Sequence, residues 1–202
     1  MILLIGGLGS IGTRYRAILD YIGEKYVVWD TVAVDTANMP EKFDSAIIAT
    51  PTFTHPYFCK LMEGMKKPYL CEKPVTTERG ETLSGGHTVC NYKYLIEPGQ
   101  QIHYNYYKTG SDGLLWDCCQ LVYLDPNAVL LKTSPRWHLM ANNQLIAYRD
   151  LENSYVSMIR DFVKGNYKKL WTIEEGLAMT DAVLERMERD SNSSQNQLNQ
   201  TA

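Results

Sequence analysis

Gly7, Gly9 and Gly12 stand in a Gly-x-Gly-x-x-Gly spacing directly behind the apolar run Ile2-Leu3-Leu4-Ile5. A strand that turns tightly into a helix at such glycines can bring backbone amides against a pyrophosphate. In this reading Gly7 permits the turn, Gly9 lets the backbone approach the phosphates, and Gly12 lets helix and sheet pack closely. Leu8, Ser10 and Ile11 complete the candidate loop. Asp30 follows the apolar stretch Tyr26–Trp29 and is the candidate acid for ribose hydroxyls, the alternative being a surface turn acid. An acid at this place favours NAD over NADP, because it repels a 2′-phosphate. Arg14 either caps a phosphate or is a solvated helix residue.

These residues require alternating strands and helices to place them. Strands are expected over about 1–5, 26–29 and 46–49, with a further short one near 32–34 and another over 68–71. A helix is expected from Ile11 to Ile22, with Ile11, Tyr15, Ile18, Leu19 and Ile22 at helical spacing and Gly23 as its stop. A second helix runs from His55 to Met65. Such units joined by short loops imply an α/β fold, a parallel sheet covered on both faces.

The whole chain sets outer limits. Its 202 residues carry 20 basic and 23 acidic side chains, a net charge of -3, which argues against a broad nucleic-acid surface. No run approaches the roughly 18 apolar residues of a membrane span, and the apolar start is short and lacks a basic flank for a signal peptide. The cysteines, Cys59, Cys71, Cys90, Cys118 and Cys119, are odd in number and lack a ligand spacing. A reduced, cytoplasmic protein with buried thiols and no metal site is expected.

Two further loops carry a resemblance. Ala49-Thr50-Pro51-Thr52-Phe53-Thr54-His55 follows one strand and Cys71-Glu72-Lys73-Pro74 follows the next. With the glycine loop they closely resemble the Gfo/Idh/MocA family, the glucose-fructose oxidoreductase and inositol dehydrogenase group. The resemblance implies an N-terminal Rossmann dinucleotide-binding fold and a reduced α+β substrate and oligomerisation domain. It places Lys73 beside the nicotinamide and substrate, and Thr50, Pro51, Thr52 and His55 along the cofactor cleft. Glu72 and Pro74 then shape the Lys73 loop. A lysine there can bond the reacting oxygen and tune its proton transfer.

The second half resembles the family less completely. Residues 89–94 are similar to the strand that leaves the nucleotide domain, and Asn91 is a candidate substrate contact with Lys73 and Gln120. Residues 101–107 read as an alternating strand, and Gly110–Gly113 as a turn. Residues 114–124 look like the helix that carries the family's catalytic aspartate and histidine. Trp116 then stands where the aspartate is common and Gln120 where the histidine is common, with Asp117 one position away. Gln120 orients a carbonyl or hydroxyl but exchanges no proton near neutral pH. Lys73, His103, Asp117 and Tyr123 are the remaining candidate acid/base groups, and His138 is a further residue whose direction the sequence leaves open.

Strands are expected near 128–131, 137–140 and 145–148, with Asn142-Asn143 as a tight turn. A helical stripe covers 155–163, and Thr172 with Glu175 forms a capping box that starts the last helix. The expected domains are 1–94, a dinucleotide-binding unit; 95–189, a reduced α+β unit; and 190–202, a disordered tail. Against the family the substrate-domain sheet is short, and pairing through it into a homodimer or higher homo-oligomer would cover its edges. The leading expectation is an NAD(P)-dependent oxidoreductase, with NAD favoured over NADP, acting on a small polar hydroxy or keto compound, such as a sugar, cyclitol or nucleotide sugar. The alternatives are an inactive dinucleotide-binding sensor, regulator or assembly protein, and a bilin-type reductase.

Overall fold

The computed structural model describes residues 1–30, 38–94, 101–108, 115–123, 128–133, 136–141, 144–149 and 151–200; between 101 and 149 it gives strands and their register. The expected strand near 32–34 and the turns at 110–113 and 142–143 lie outside the described residues.

Strands β1 (Ile2–Ile5), β2 (Tyr26–Trp29), β3 (Ser45–Ile48), β4 (Tyr69–Cys71), β5 (His87–Thr88) and β11 (Trp171–Thr172) form one sheet in the order β11-β5-β4-β3-β1-β2. All its pairings are parallel except β11 against β5. Between them run the helices α1 (Ser10–Ile22) and α2 (His55–Gly64), and the chain closes with α3 (Leu151–Val163) and α4 (Ile173–Gln200).

Both sheet faces are covered, which explains why the inner strands read as continuous apolar runs. Leu3 and Ile5 pack with Phe58 and Met62 of α2 and Ile173 and Leu177 of α4. Ile2 and Leu4 face the other way, onto Tyr15, Ile18 and Leu19 of α1 and Met158, Ile159 and Phe162 of α3. The strand period of two thus splits one apolar run between two cores. Helix α1 ends as its sequence implies: Gly23 takes a left-handed φ of 73°, and its N–H donates to Asp20 and Leu19 carbonyls.

The second half consists of β6 (Gln101–Lys108) paired with β7 (Leu115–Tyr123), and a three-stranded meander of β8 (Ala128–Thr133), β9 (Arg136–Ala141) and β10 (Gln144–Arg149). β7 corrects the expected helix over 114–124. Its Trp, Val and Tyr suit a pleated surface, and the long antiparallel pairing with β6 makes the segment a strand where the family resemblance implied a helix. Residues 91–94 form a 3-10 turn, and the strand before them is only β5, so the expected strand over 89–94 is also corrected.

Helix α4 continues to Gln200, through the stretch expected to be a disordered tail. Its packed first half, with Ile173 and Leu177 buried, bears the cost of nucleation, and each further turn adds to a helix already formed. No described helix is long and apolar enough to cross a membrane.

Two phenylalanines test the layer assignment. Phe58 is 1% exposed and Phe53 74% exposed. In urea unfolding, Phe58→Ala lowers stability by about 3–5 kcal/mol, whereas Phe53→Ala changes it by less than about 0.5 kcal/mol.

Candidate functional site

The strand order reverses at β1: β2 lies on one side of it and β3 on the other. The crevice beyond the carboxyl ends of β1 and β3 is the place where open parallel sheets bind ligands. The glycine loop leaves β1 there, the Thr50–Thr54 loop leaves β3, and Glu72-Lys73-Pro74 leaves β4 beside it.

The glycine loop is tightly built. A Cβ on Gly12 would lie 2.1 Å from the Gly6 carbonyl oxygen and 2.7 Å from Gly7 Cα, both backbone atoms that cannot step aside. The helix start therefore rests directly on the turn. Gly9 differs: a Cβ there would meet nothing nearer than Gly6 O at 3.8 Å, so its outer side is open. Gly9 is also the N-cap of α1, with no side-chain cap bond, and the first turn holds no acidic residue. Among the described residues no side chain caps this helix start, and its positive end can meet an external anion. Open space at Gly9 and an uncapped helix start fit a dinucleotide pyrophosphate.

Asp30, at the end of β2, is exposed and accepts a hydrogen bond from the Leu8 N–H at its Oδ2, 2.9 Å away. The expected ribose acid thus lies against the glycine loop and fixes one of its amides. This contact is a role the sequence did not disclose.

The Lys73 loop is held from two sides by buried side chains. Glu72 is 7% exposed. Its Oε1 accepts a short hydrogen bond from the Tyr15 hydroxyl of α1, and its Oε2 accepts from the Lys73 N–H at 2.9 Å. Burial first, and then the nearby Glu72 carboxylate, push the Tyr15 phenol well above its ordinary range, so it stays a donor. Tyr15 stacks at a tilt on Tyr155 of α3, over whose ring Arg14 lies 5.0 Å from the centroid. Arg14 thus reaches an aromatic face of α3, an alternative to both roles expected for it. On the other side His55 sets Nδ1 2.8 Å from Pro74 O and Nε2 2.8 Å from Thr50 O. His55 is 1% exposed, so it belongs beneath the cleft and corrects the expectation that it lines it. The sequence also allows a helix-start residue hydrogen-bonded locally, and the ring does meet Thr50 O, but it spans two loops by reaching Pro74 O as well. Thr54 Oγ1 donates within the same loop, to Thr50 Oγ1 at 2.8 Å or Pro51 O at 2.7 Å, and Thr52 begins the short 3-10 turn between them.

Asn91 departs from its expected role. It is 1% exposed, and its Nδ2 donates to Ser154 Oγ of α3 at 3.1 Å. It ties the 3-10 turn to α3 and presents no surface to a substrate. Among the described residues its Oδ1 has no hydrogen-bond partner.

The remaining candidates lie on β6 and β7, where register alone is described. His103 pairs with Leu121, Tyr107 with Asp117, Gln101 with Tyr123 and Tyr104 with Gln120. His103, Asp117 and Tyr123 therefore share one parity of the ladder and Gln120 the other. On a strand, the one-residue offset between Asp117 and Trp116 changes face completely, where a helix would rotate it by about 100°. The side chains of these four residues and of His138 lie outside the described residues, as does any meeting with Lys73.

No protein-family model matches the sequence, and no curated protein matches it. Solved structures do. A Gfo/Idh/MocA family oxidoreductase from Vibrio cholerae superposes with a TM-score of 0.62 at 15% identity, over 96% of this chain and 99% of that one. The fold is that of the Gfo/Idh/MocA oxidoreductases. UDP-N-acetylglucosamine 3-dehydrogenase from Acidithiobacillus ferrooxidans matches with a TM-score of 0.57 at 12% identity, over 91% of this chain and 95% of that one. The WlbA dehydrogenase from Thermus thermophilus, solved with NAD and UDP-GlcNAcA, matches at 0.52 and 10% identity, over 89% and 92%. The likeness to this Gfo/Idh/MocA fold thus runs through both halves of the chain.

Two measurements test the site's construction. Tyr15→Phe takes one donor from a buried carboxylate and should cost about 1–3 kcal/mol in urea unfolding. Burial lowers the pKa of His55, and that of half-buried His87 as well. The unfolded chain therefore binds these protons first as pH falls below about 6.5. Stability from the neutral histidines is full above that pH and declines below it, which thermal unfolding at stepped pH should show, with a shallower decline in His87→Gln.

Proposed function

We propose that this protein is an NAD-dependent oxidoreductase that moves a hydride to or from a small polar hydroxy or keto compound, of the sugar or nucleotide-sugar class. The observation that carries this reading is the pairing of an open, uncapped helix start at Gly9 with a Lys73 loop fixed by Glu72 and His55 across the same crevice. The solved neighbours support it: one is a nucleotide-sugar dehydrogenase, and another was solved with NAD and a nucleotide sugar.

The glycine loop and first turn of α1 would hold the pyrophosphate, and Asp30 would meet the adenosine ribose. Among the described residues Asp30 engages only Oδ2, and an acid here favours NAD over NADP. NAD, when bound, supplies the hydride chemistry. The chain's own part is placement and proton control. Lys73 would donate to, or take a proton from, the reacting oxygen, while Glu72 fixes the backbone from which it projects. Thr50, Pro51 and Thr52 would line the wall, with Pro74 closing the Lys73 turn. Association through the antiparallel strands of the second half, and a cytoplasmic setting, belong to the same proposal.

The second reading is a dinucleotide-binding protein without turnover; the resemblance that sets Gln120 at the family's histidine took 114–124 as a helix, and Gln120 lies on strand β7. The bilin-type alternative has no residue to favour it. NADH fluorescence titration followed by turnover assays on alcohols, sugars and nucleotide sugars separates these readings. The oxidoreductase reading expects wild type to bind and turn over, and Lys73→Ala to bind NADH within about threefold while losing on the order of 10²-fold or more in kcat. Binding without turnover by wild type supports the second reading. Failure of NADH and NADPH to bind at millimolar concentration contradicts both.

A further inference from the structure

His55 poses a problem of proton counting. Both its ring nitrogens lie 2.8 Å from carbonyl oxygens, Nδ1 from Pro74 O and Nε2 from Thr50 O. A carbonyl oxygen only accepts, and a neutral imidazole carries one N–H. With one ring proton, one contact is a hydrogen bond and the other sets two lone pairs against each other. With two ring protons, both contacts are attractive.

Among the described residues, the groups around the ring direct hydrogen bonds elsewhere. The titratable groups on the packed elements are Tyr57, Cys59, Lys60 and Glu63 of α2, Tyr69 and Cys71 of β4, and Glu72 and Lys73 just after it. Lys60 bonds Glu81 at 2.6 Å. Glu63 accepts from Tyr69 Oη and Ser84 N, and Glu72 from Tyr15 and the Lys73 N–H. The Cys71 thiol donates to Glu72 O. No carboxylate among the described residues bonds the ring. Burial resists the second proton and the two carbonyls favour it.

We propose that His55 is a positioning residue for Lys73 that acts as a proton-dependent tie: with two ring protons it joins the Thr50 and Pro74 carbonyls, and with one it holds only one of them. The Lys73–Pro74 segment is then fixed from both ends in the doubly protonated form. Its Lys73 N–H is held by Glu72 and its Pro74 carbonyl by His55. In the singly protonated form the Pro74 end is held only in the Nδ1–H tautomer, and the segment gains freedom. The functional weight of this tie rests on the reading of Lys73 as the group that meets the reacting oxygen.

The test needs no turnover, so its failure is distinct from failure of that reading. Uniformly 15N-labelled wild-type protein is titrated by NMR from about pH 8 to about pH 5, following the His55 ring nitrogens and the Lys73 amide. His55→Gln assigns the ring signals and serves as control, with circular dichroism confirming its fold. The tie predicts one protonated and one bare ring nitrogen at the upper pH, and two protonated nitrogens at the lower. It also predicts that the Lys73 amide moves along the same curve, and that this movement is absent in His55→Gln. A Lys73 amide that stays still while the ring titrates overturns the proposal, as does an unchanged step in His55→Gln. Unfolding before the ring takes its second proton overturns it too, because the tie would then never form in the folded chain. If His55→Gln does not fold, the wild-type correlation of ring and amide decides alone.

Discussion

The Glu72 carboxylate is the contact on which the site depends. A buried carboxylate is costly unless donors surround it, and its two oxygens reach two separate elements: α1 through Tyr15 and the Lys73 loop through its backbone N–H. One side chain therefore fixes the spacing between the helix that begins at the glycine loop and the lysine across the crevice. Removing the carboxylate would release the Tyr15 phenol and the Lys73 amide together. This is a stronger constraint than any apolar contact in the same region, since apolar packing tolerates small shifts and a donor–acceptor distance does not.

Helix α1 carries the constraint in both directions. Its start is pressed on the turn at Gly12, and its next inward residue, Tyr15, bonds Glu72. Its later residues Ile18 and Leu19 seat it in the core shared with α3. A phosphate drawn to the open start of α1 thus meets a rigid body whose other contact sets the Lys73 loop. The parallel sheet makes this possible by delivering three loops to one edge, after β1, β3 and β4.

Much of this was legible in the sequence because it depends on local chemistry. The glycine spacing, the acid after β2, the apolar faces of α1 and α3 and the Thr172–Glu175 cap all express short-range geometry, and the reciprocal cap bonds of 2.8 Å and 3.2 Å are present. What escaped was long-range. Tyr15 read as one more core position, since nothing local shows that its hydroxyl finds a carboxylate 57 residues away. His55 and Asn91 looked like cleft residues, but His55 is buried between two loops and Asn91 between its 3-10 turn and α3, because their partners, Pro74 and Ser154, are distant in sequence. Residues 114–124 looked like a helix through the family resemblance, while the β6 partner that makes β7 a strand lies outside any local window.

The proposed function turns on the tight glycine turn at the start of α1 as a dinucleotide phosphate site. Titration of NADH into wild type and into Gly12→Ala, with folding checked by circular dichroism, tests it most directly. A Cβ 2.1 Å from Gly6 O must displace the turn, so the account predicts saturable binding by wild type and loss of at least about tenfold in affinity, roughly 1.4 kcal/mol, by the folded variant. Equal affinity in the two proteins would contradict it.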